Sequence, residues 1–325
     1  MRRRHVLGLA PVLLAALSAR GAAQPGSTWP SRPIRMLVPF APGGTTDLMG
    51  RLVAEQLGLR LGQPVAVENR PGGGTNIAAD AAAKSRPDGY TVLFGAAAMS
   101  VNPSLLPSMP YDLFKDLAPV SLVNRTPLVM IVHPDVPART VQEFVAWAKT
   151  QPQGVSYGSG GIGTIPHLAA ELLKAEAGIN LVHVPYRGQA PAMQDLLAGR
   201  LAVMIESVPP ILPMIADGRV RAIAVAELRP LSVLPELPTI AEAGYPGFEA
   251  AAWNAIWVPA GTPPVIVERL SREVAGIVRT PAVTERFQQL GAFPVGGTPE
   301  EMDRFLRAEV ARWAEVVKRS GARAD

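Results

Sequence analysis

The chain has 325 residues, 48% of them hydrophobic and 18% charged, which is enough apolar material for two packed units. It contains no cysteine, so disulfides, thiol nucleophiles and cysteine-ligated metals are excluded. The formal charge of +4 comes from the first 23 residues, which carry Arg2, Arg3, Arg4 and Arg20 and no acid; without those four, the 31 basic residues become 27 against 27 acidic ones, and the basic pI gives no support to nucleic-acid or acidic-membrane binding.

The first segment reads as an export signal: Arg2-Arg3-Arg4, an apolar core over 6–17, then Gly21-Ala22-Ala23. A secretory signal peptide over 1–23, cut near Ala23, is the expectation. Arg3-Arg4 leaves the choice between the general and the twin-arginine route open. No later apolar stretch reaches membrane-spanning length without charges or breakers. The mature chain is expected to be soluble and exported.

Strand-like and helix-like runs then alternate. A strand over 34–38 precedes Pro39-Phe40-Ala41-Pro42-Gly43-Gly44-Thr45-Thr46-Asp47 and an amphipathic helix over 47–59. A second strand, 65–68, leads through Asn69-Arg70-Pro71-Gly72-Gly73-Gly74-Thr75-Asn76 into a short Ala-rich helix ending at Lys84. A third strand covers 91–94. Apolar strands spaced by helices predict parallel sheets covered on both faces. The Val/Leu/Ile-rich stretch 117–133 is interrupted at 124–127, where a first crossing between two units is expected.

The second unit repeats the pattern: a helix over 141–149 opened by the Thr140/Glu143 capping box, a strand over 155–157, a helix over 165–177, a strand over 181–184, a helix over 191–198, a strand over 201–205, a helix over 210–216 and a strand over 220–226. The tail brings a strand at 253–258 and helices at 264–278 and 281–290. Its last helix opens at Thr298-Pro299 with Glu301 three residues after the cap. With no further strand–helix–strand unit, the tail is expected to return to the first unit. Lobe 1 then comprises 24–124 and 228–325, lobe 2 comprises 125–227, and the two form a hinged clamshell with a ligand cleft at the strand ends.

The glycine-rich loop at 39–47 and its counterpart Tyr157-Gly158-Ser159-Gly160-Gly161-Ile162-Gly163-Thr164 each run from a strand into a helix start. Exposed N–H groups and the partial positive charge there suit an anion. The two loops are expected to face each other across the cleft and hold one small anion. Contact is assigned to Gly43, Gly44, Thr45 and Thr46 on one side and to Ser159, Gly161, Gly163 and Thr164 on the other. Asp47 would repel a carboxylate at close range, so its role is support of the first loop, and His167 is given the same role for the second. Phe40 reads either as a wall of the site or as packing, Arg187 as a ligand contact or an ion-pair partner, Glu206 as a selectivity residue or a solvated strand end, and Ala96 to Met99 as cleft lining or packing.

Two enzyme motifs compete. Gly158 to Gly163 spells G-x-G-x-x-G, but the next strand ends in Pro185-Tyr186-Arg187 instead of an acid. Gly154-Val155-Ser156-Tyr157-Gly158 spells G-x-S-x-G, but Ser156 sits inside a strand, and no His follows Asp195. A hydrolase using Ser156 remains the alternative enzyme reading, and a ligand sensor for a membrane signalling partner the alternative binding one. His133, His167 and His183 lack metal-ligand spacing.

Segments along nearly the whole chain are similar to those of the substrate-binding proteins of the tripartite tricarboxylate transporter system, the Bug (TctC-like) family. They include Trp29 to Arg35, Pro39 to Asp47, Gly62-Gln63-Pro64-Val65, Pro87 to Thr91, Asn102 to Leu105, Gly163 to Glu171, His183 to Gly188, Ala260 to Pro263 and Gly296 to Glu301. The resemblance implies a type II, two-lobe periplasmic binding protein of α/β class that is not an enzyme. It also implies a small carboxylate ligand and delivery to membrane permease subunits. No cofactor, metal or nucleic acid is expected, and a monomer is. The chain departs from the pattern at Ile162, where relatives often have Asn, at Ile165-Pro166 before the His, and at Glu206, often Asp.

Overall fold

The computed structural model describes residues 29–186 and 188–323. The expected signal peptide and Arg187 lie outside the described residues. In chain order the elements are β1 (Ile34–Val38), α1 (Thr45–Leu61), β2 (Val65–Asn69), a tight turn (Gly73–Thr75) leading into α2 (Asn76–Ala83), β3 (Thr91–Ala96), α3 (Ala98–Leu105), β4 (Leu117–Val132), α4 (Val141–Lys149), β5 (Val155–Ser159) and α5 (Ile165–Ala177). There follow β6 (Leu181–Pro185), α6 (Gln189–Leu197), β7 (Val203–Ser207), α7 (Leu212–Ala216), β8 (Arg221–Val225), β9 (Ala251–Pro259), α8 (Pro264–Val278), α9 (Pro281–Gln289), β10 (Phe293–Pro294) and α10 (Pro299–Ser320).

The α/β class read from the sequence holds, and the strands form a mixed sheet in the order β2-β1-β3-β9-β4-β7-β5-β6, with β8 and β10 also on β4. β1 is parallel to β2 and β3, and β5 to β6 and β7, as expected of strands joined through helices. The middle is antiparallel: β9 runs against β3 and β4, and β4 against β7 and β8. The purely parallel sheets expected from sequence are therefore parallel only in their outer strands.

The largest difference is β4. The interruption at 124–127 is not a break. One strand of 16 residues runs through it, pairing with β9 from Leu117 to Pro127 and with β7 from Leu128 to Val132. Pro127 stands where the strand changes partners, so its missing N–H costs no ladder bond, while its carbonyl accepts from Val208 N–H at 3.1 Å. Two local register shifts, at Pro119/Ser121 and Leu122/Asn124, adjust the strand just before that point.

Helices cover both faces. Met49, Val53 and Leu57 of α1 and Leu270 and Val274 of α8 bury one face of the β1–β3 half, and Met99 of α3 with Leu306 and Trp313 of α10 belong to the core on the opposite side. The tail thus returns to the first sheet half, and α10 also reaches α5. Caps match the sequence reading in part. Thr298 and Glu301 form a reciprocal box. Thr140 accepts from Glu143 N–H, but the Glu143 carboxylate takes the Arg139 N–H instead of that of Thr140.

The chain passes between the sheet halves along β4 and again on the connection from β8 to β9, and one cluster of ions ties the two. Arg125, on β4, donates to Glu249 at 2.6 Å and pairs with Glu227 at 3.4 Å. Glu227 follows β8 and Glu249 precedes β9. Arg312 of α10 bridges Glu249 (3.2 Å) and Glu309 (3.2 Å). Burial pushes the Glu227 carboxyl up to about 7, with Arg125 pulling it back down. Arg125→Ala leaves these acids short of a countercharge in a largely buried place, and is expected to lower unfolding free energy by about 2 kcal/mol at pH 8 in urea titration. Adding Glu227→Gln is expected to recover part of that loss.

Candidate functional site

A cavity of about 730 Å³ lies where the two sheet halves meet. Its wall is built from the starts of five helices. Thr45 and Thr46 open α1, Thr75 and Asn76 stand at the start of α2, Ala97 and Ala98 at that of α3, Gly163 and Thr164 precede α5, and Gln189 opens α6. The first N–H groups of a helix have no partner within it, and the macrodipole places partial positive charge there. None of the described residues lining the cavity carries a charged side chain. An anion here would meet backbone donors and dipoles.

The first loop is held from behind. Asp47 is 1% exposed, and its carboxylate accepts from Gly43 N–H (2.9 Å), Arg51 Nε (2.9 Å) and Asn69 Nδ2 (2.7 Å). Burial alone would raise its pKa, but these three hydrogen bonds and the Arg51 charge outweigh it and hold the carboxyl below its usual range. Asn69 Nδ2 also donates to the Phe40 carbonyl at 2.9 Å. With the Gly43 N–H already given to Asp47, the first loop offers its free donors at Thr45 and Thr46, which line the cavity, as does Phe40. Gly43 and Gly44 do not line it.

The second loop rests on a stacked aromatic column. His167 and His183 lie 4.1 Å apart centroid to centroid, and Tyr157 stacks on His183 at 4.8 Å. His167 Nδ1 accepts from Gly163 N–H at 3.2 Å, and the Thr164 hydroxyl caps α5 by accepting from His167 N–H. Both rings have pKa values lowered to about 4, His167 by burial and His183 by burial and the neighbouring His167, so both stay neutral at pH 7. Tyr157 donates to Glu171 at 2.6 Å beneath them. Gly163, Thr164 and Ile162 line the cavity.

Several residues assigned to contact point elsewhere. Ser159 is fully buried, its hydroxyl bonded to Gly161 O (3.1 Å) and His183 Nε2 (2.7 Å), and neither Ser159 nor Gly161 lines the cavity. Glu206 is 3% exposed, accepts from Ser207 N–H at 2.8 Å, and likewise lies off the lining, although Ser207 is on it. Burial pushes its carboxyl up to about 7. A solvated strand end is thereby ruled out for it. Arg187 lies outside the described residues. Ser156 lies within β5 and donates to the Arg200 carbonyl at 3.3 Å, with none of the described His residues bonded to it; the nucleophile-elbow motif is a coincidence of composition.

Other wall residues were not singled out in the sequence. The loop Gly73-Gly74-Thr75 forms a third strand–glycine–helix junction, with Thr75 at φ +86°. Asn102 clamps it, its Nδ2 donating to Gly74 O (2.7 Å) and Asn76 Oδ1 (3.1 Å). The three glycines before a helical run were the available signal. Ala96, Ala97 and Ala98 do line the cavity, at the start of a helix that the Ala repeat and Pro103 concealed.

The chain matches the model of the tripartite tricarboxylate transporter family receptor over residues 49–322. It is 41% identical over 311 residues to protein BugT of Bordetella pertussis, covering 94% of this chain and 95% of that one. It is 40% identical over 317 residues to a protein of Pseudomonas sp. encoded between tcbD and tcbE, covering 97% and 94%. Among solved structures it is similar to Rpa4515 of R. palustris with adipate (TM-score 0.79, 38% identity, 90% of this chain and 98% of that one). It is also similar to MatC of Rhodopseudomonas palustris with bound malate (TM-score 0.76, 30% identity, 89% and 100%).

Two glycines separate backbone posture from contact. Gly163 has φ +78°, and a Cβ there would sit 2.2 Å from Leu105 Cδ2, whereas Gly44 has φ −76° with its nearest atom at 3.9 Å. Gly163→Ala is expected to lower unfolding free energy by about 2 kcal/mol or more, and Gly44→Ala by less than about 0.5 kcal/mol, in denaturant titration. Glu206 supplies a pH test. Its folded pKa lies above the ordinary glutamate value of 4.5, so its contribution is present below that value and is lost as pH rises through about 7. Glu206→Gln should therefore match the parent near pH 4.5 and exceed its stability by about 2 kcal/mol at pH 8.

Proposed function

The chain belongs to the tripartite tricarboxylate transporter receptor family, and we propose that the solute it captures is a small carboxylate, held in the cavity where five helix starts meet and passed to the membrane permease of such a transporter. It is a solute-binding receptor and not an enzyme, as its Bug and TctC relatives are periplasmic binding proteins. The observation that carries the carboxylate reading is the lining: helix starts from both sheet halves share one cavity wall, with no charged side chain among the described lining residues. Relatives of solved structure hold adipate and malate, which agrees with a carboxylate here.

In this reading Thr45 and Thr46 bind from one lobe and the start of α5 from the other, where Gly163 and Thr164 line the wall with their own N–H groups bonded to His167 and Gly161, and the Ile165 N–H is the donor. Residues 24–124 with 228–325 form the first lobe and 125–227 the second, with the Arg125 cluster at the hinge. The closed state is favoured by ligand because only it presents both sets of donors. Each charge-assisted hydrogen bond contributes about 1.5–3 kcal/mol. Gly43, Gly44, Ser159, Gly161 and Glu206 shape the loops or the second lobe from behind. The mature receptor starts after a signal peptide cut near Ala23 and acts in the periplasm as a monomer.

Thermal denaturation with a panel of mono-, di- and tricarboxylates tests the assignment. At a concentration about a hundredfold above Kd, a bound carboxylate stabilises by about 2.7 kcal/mol and raises Tm by several degrees. The corresponding amides should leave Tm unchanged. No shift with any carboxylate would sink the reading.

A further inference from the structure

The receptor reading fixes the anionic end of the ligand, and the rest of the cavity wall speaks to its body. Phe40 from the first loop and Ile162 from the second both line the cavity, and they are 37% and 48% exposed. Leu105, Leu106 and Leu290 extend the apolar surface. Trp253 shows the cavity only carbon, because its Nε1 donates to Glu309 at 3.0 Å.

Thr45 and Thr46 are assigned to the carboxylate, and of the other polar side chains on the wall all but Ser108, Gln189 and Ser207 are committed already. Asn76 Oδ1 accepts from Asn102 Nδ2 and from Tyr111 at 3.1 Å each. The Thr164 hydroxyl is held between Gly161 O and His167 N–H, and Asn254 Nδ2 donates to Gly95 O at 3.1 Å. Thr126 faces Asn124 Nδ2 at 3.5 Å. A hydroxyl in the middle of a ligand would give up its water and find few free partners, which is costly in a closed site. A CH₂ chain or a ring would lose nothing and would bury apolar surface.

We propose that the ligand is a carboxylate with a hydroxyl-free apolar body, aliphatic or aromatic, gripped between Phe40 and Ile162. The inference rests on the carboxylate-receptor reading and adds the chemistry of the body. Selectivity is then set by the jaws of the two loops, while the helix starts serve any carboxylate alike.

Isothermal titration of the mature protein with ligands matched in length and charge tests this. One set is succinate, malate and tartrate; the other is adipate against galactarate. Affinity is expected to fall about tenfold for each added hydroxyl, and more than a hundredfold from adipate to galactarate. Ile162→Asn and Phe40→Ala should narrow that gap; both side chains are substantially exposed, and the melting temperature of each ligand-free variant checks its fold. Malate or tartrate binding as tightly as succinate, or galactarate as tightly as adipate, would overturn the proposal while leaving the receptor reading intact. A gap unchanged in both variants would overturn the assignment to these two residues. If no carboxylate binds at all, the receptor's carboxylate reading itself falls, and this inference with it.

Discussion

The structure is arranged around helix starts that must be kept open to one cavity. A helix start carries unpaired donors whatever its sequence, but donors on loops are useful only if the loops cannot collapse onto them. Much of the polar chemistry around the cavity serves that purpose. Asp47 collects Gly43, Arg51 and Asn69 behind the first loop. His167 takes the Gly163 N–H behind the second. Asn102 ties down the third at Gly74 and Asn76. Each brace is a buried polar group with its partners supplied, so it specifies posture at little cost. The same braces occupy the conspicuous polar residues: the carboxylate of Asp47 and the hydroxyl of Ser159 already have their partners.

The wall also has to come from two sheet halves. β4 achieves this as one strand that trades β9 for β7 at Pro127. Thr126 and Ser207 therefore reach the cavity floor from strands that meet at the handover. At the same place the connection from β8 to β9 passes between the halves, and Arg125 gathers Glu227 and Glu249 from its two ends. Three acids, Glu227, Glu249 and Glu309, share two arginines, Arg125 and Arg312; burial first, and then the neighbouring acids, lift Glu227 to about 7 against the pull of the arginines. The crossing between the sheet halves is thereby held by directional polar contacts, which tolerate small rotations less well than a hydrophobic seam.

Most elements were legible because their periodicity and punctuation agree. β1, α4, α5 and α8 begin and end where apolar spacing, Thr140, Thr164 and Pro264 place them. What could not be read has physical reasons. Strand direction in the middle of the sheet depends on where β9 returns from a distant part of the chain, which no local pattern encodes. Pro127 looks like a breaker until its position at a change of partners is known. At the site, the two glycine loops were visible, but which of their N–H groups remain free depends on long-range acceptors, as at Gly43 and Asp47. The third loop at Gly73 to Thr75 carried the same local signal and was outweighed by the apparent pairing of the other two. Glu206 shows the limit of strand-end reasoning, since its burial comes from packing and not from its place in β7.

On the proposed carboxylate reading, holding an anion by dipoles and not by a lysine or arginine has a consequence for delivery. A salt bridge sealed in a dry cavity would be strong in one geometry and slow to dissolve, because breaking it strands two buried charges. Donors divided between α1 and α5 leave no such residue. When the halves part, the ligand loses one set of N–H groups as water enters, and the donors left behind return to ordinary solvation. Capture and release then run on a single coordinate, the separation of the two loops. That is a suitable design for a receptor that must bind a dilute solute tightly and surrender it on docking. It also accounts for why the braces matter more than the contacts: a loop that relaxed on opening would have to be re-ordered at each closure, and the ordering entropy would be taken from the binding energy.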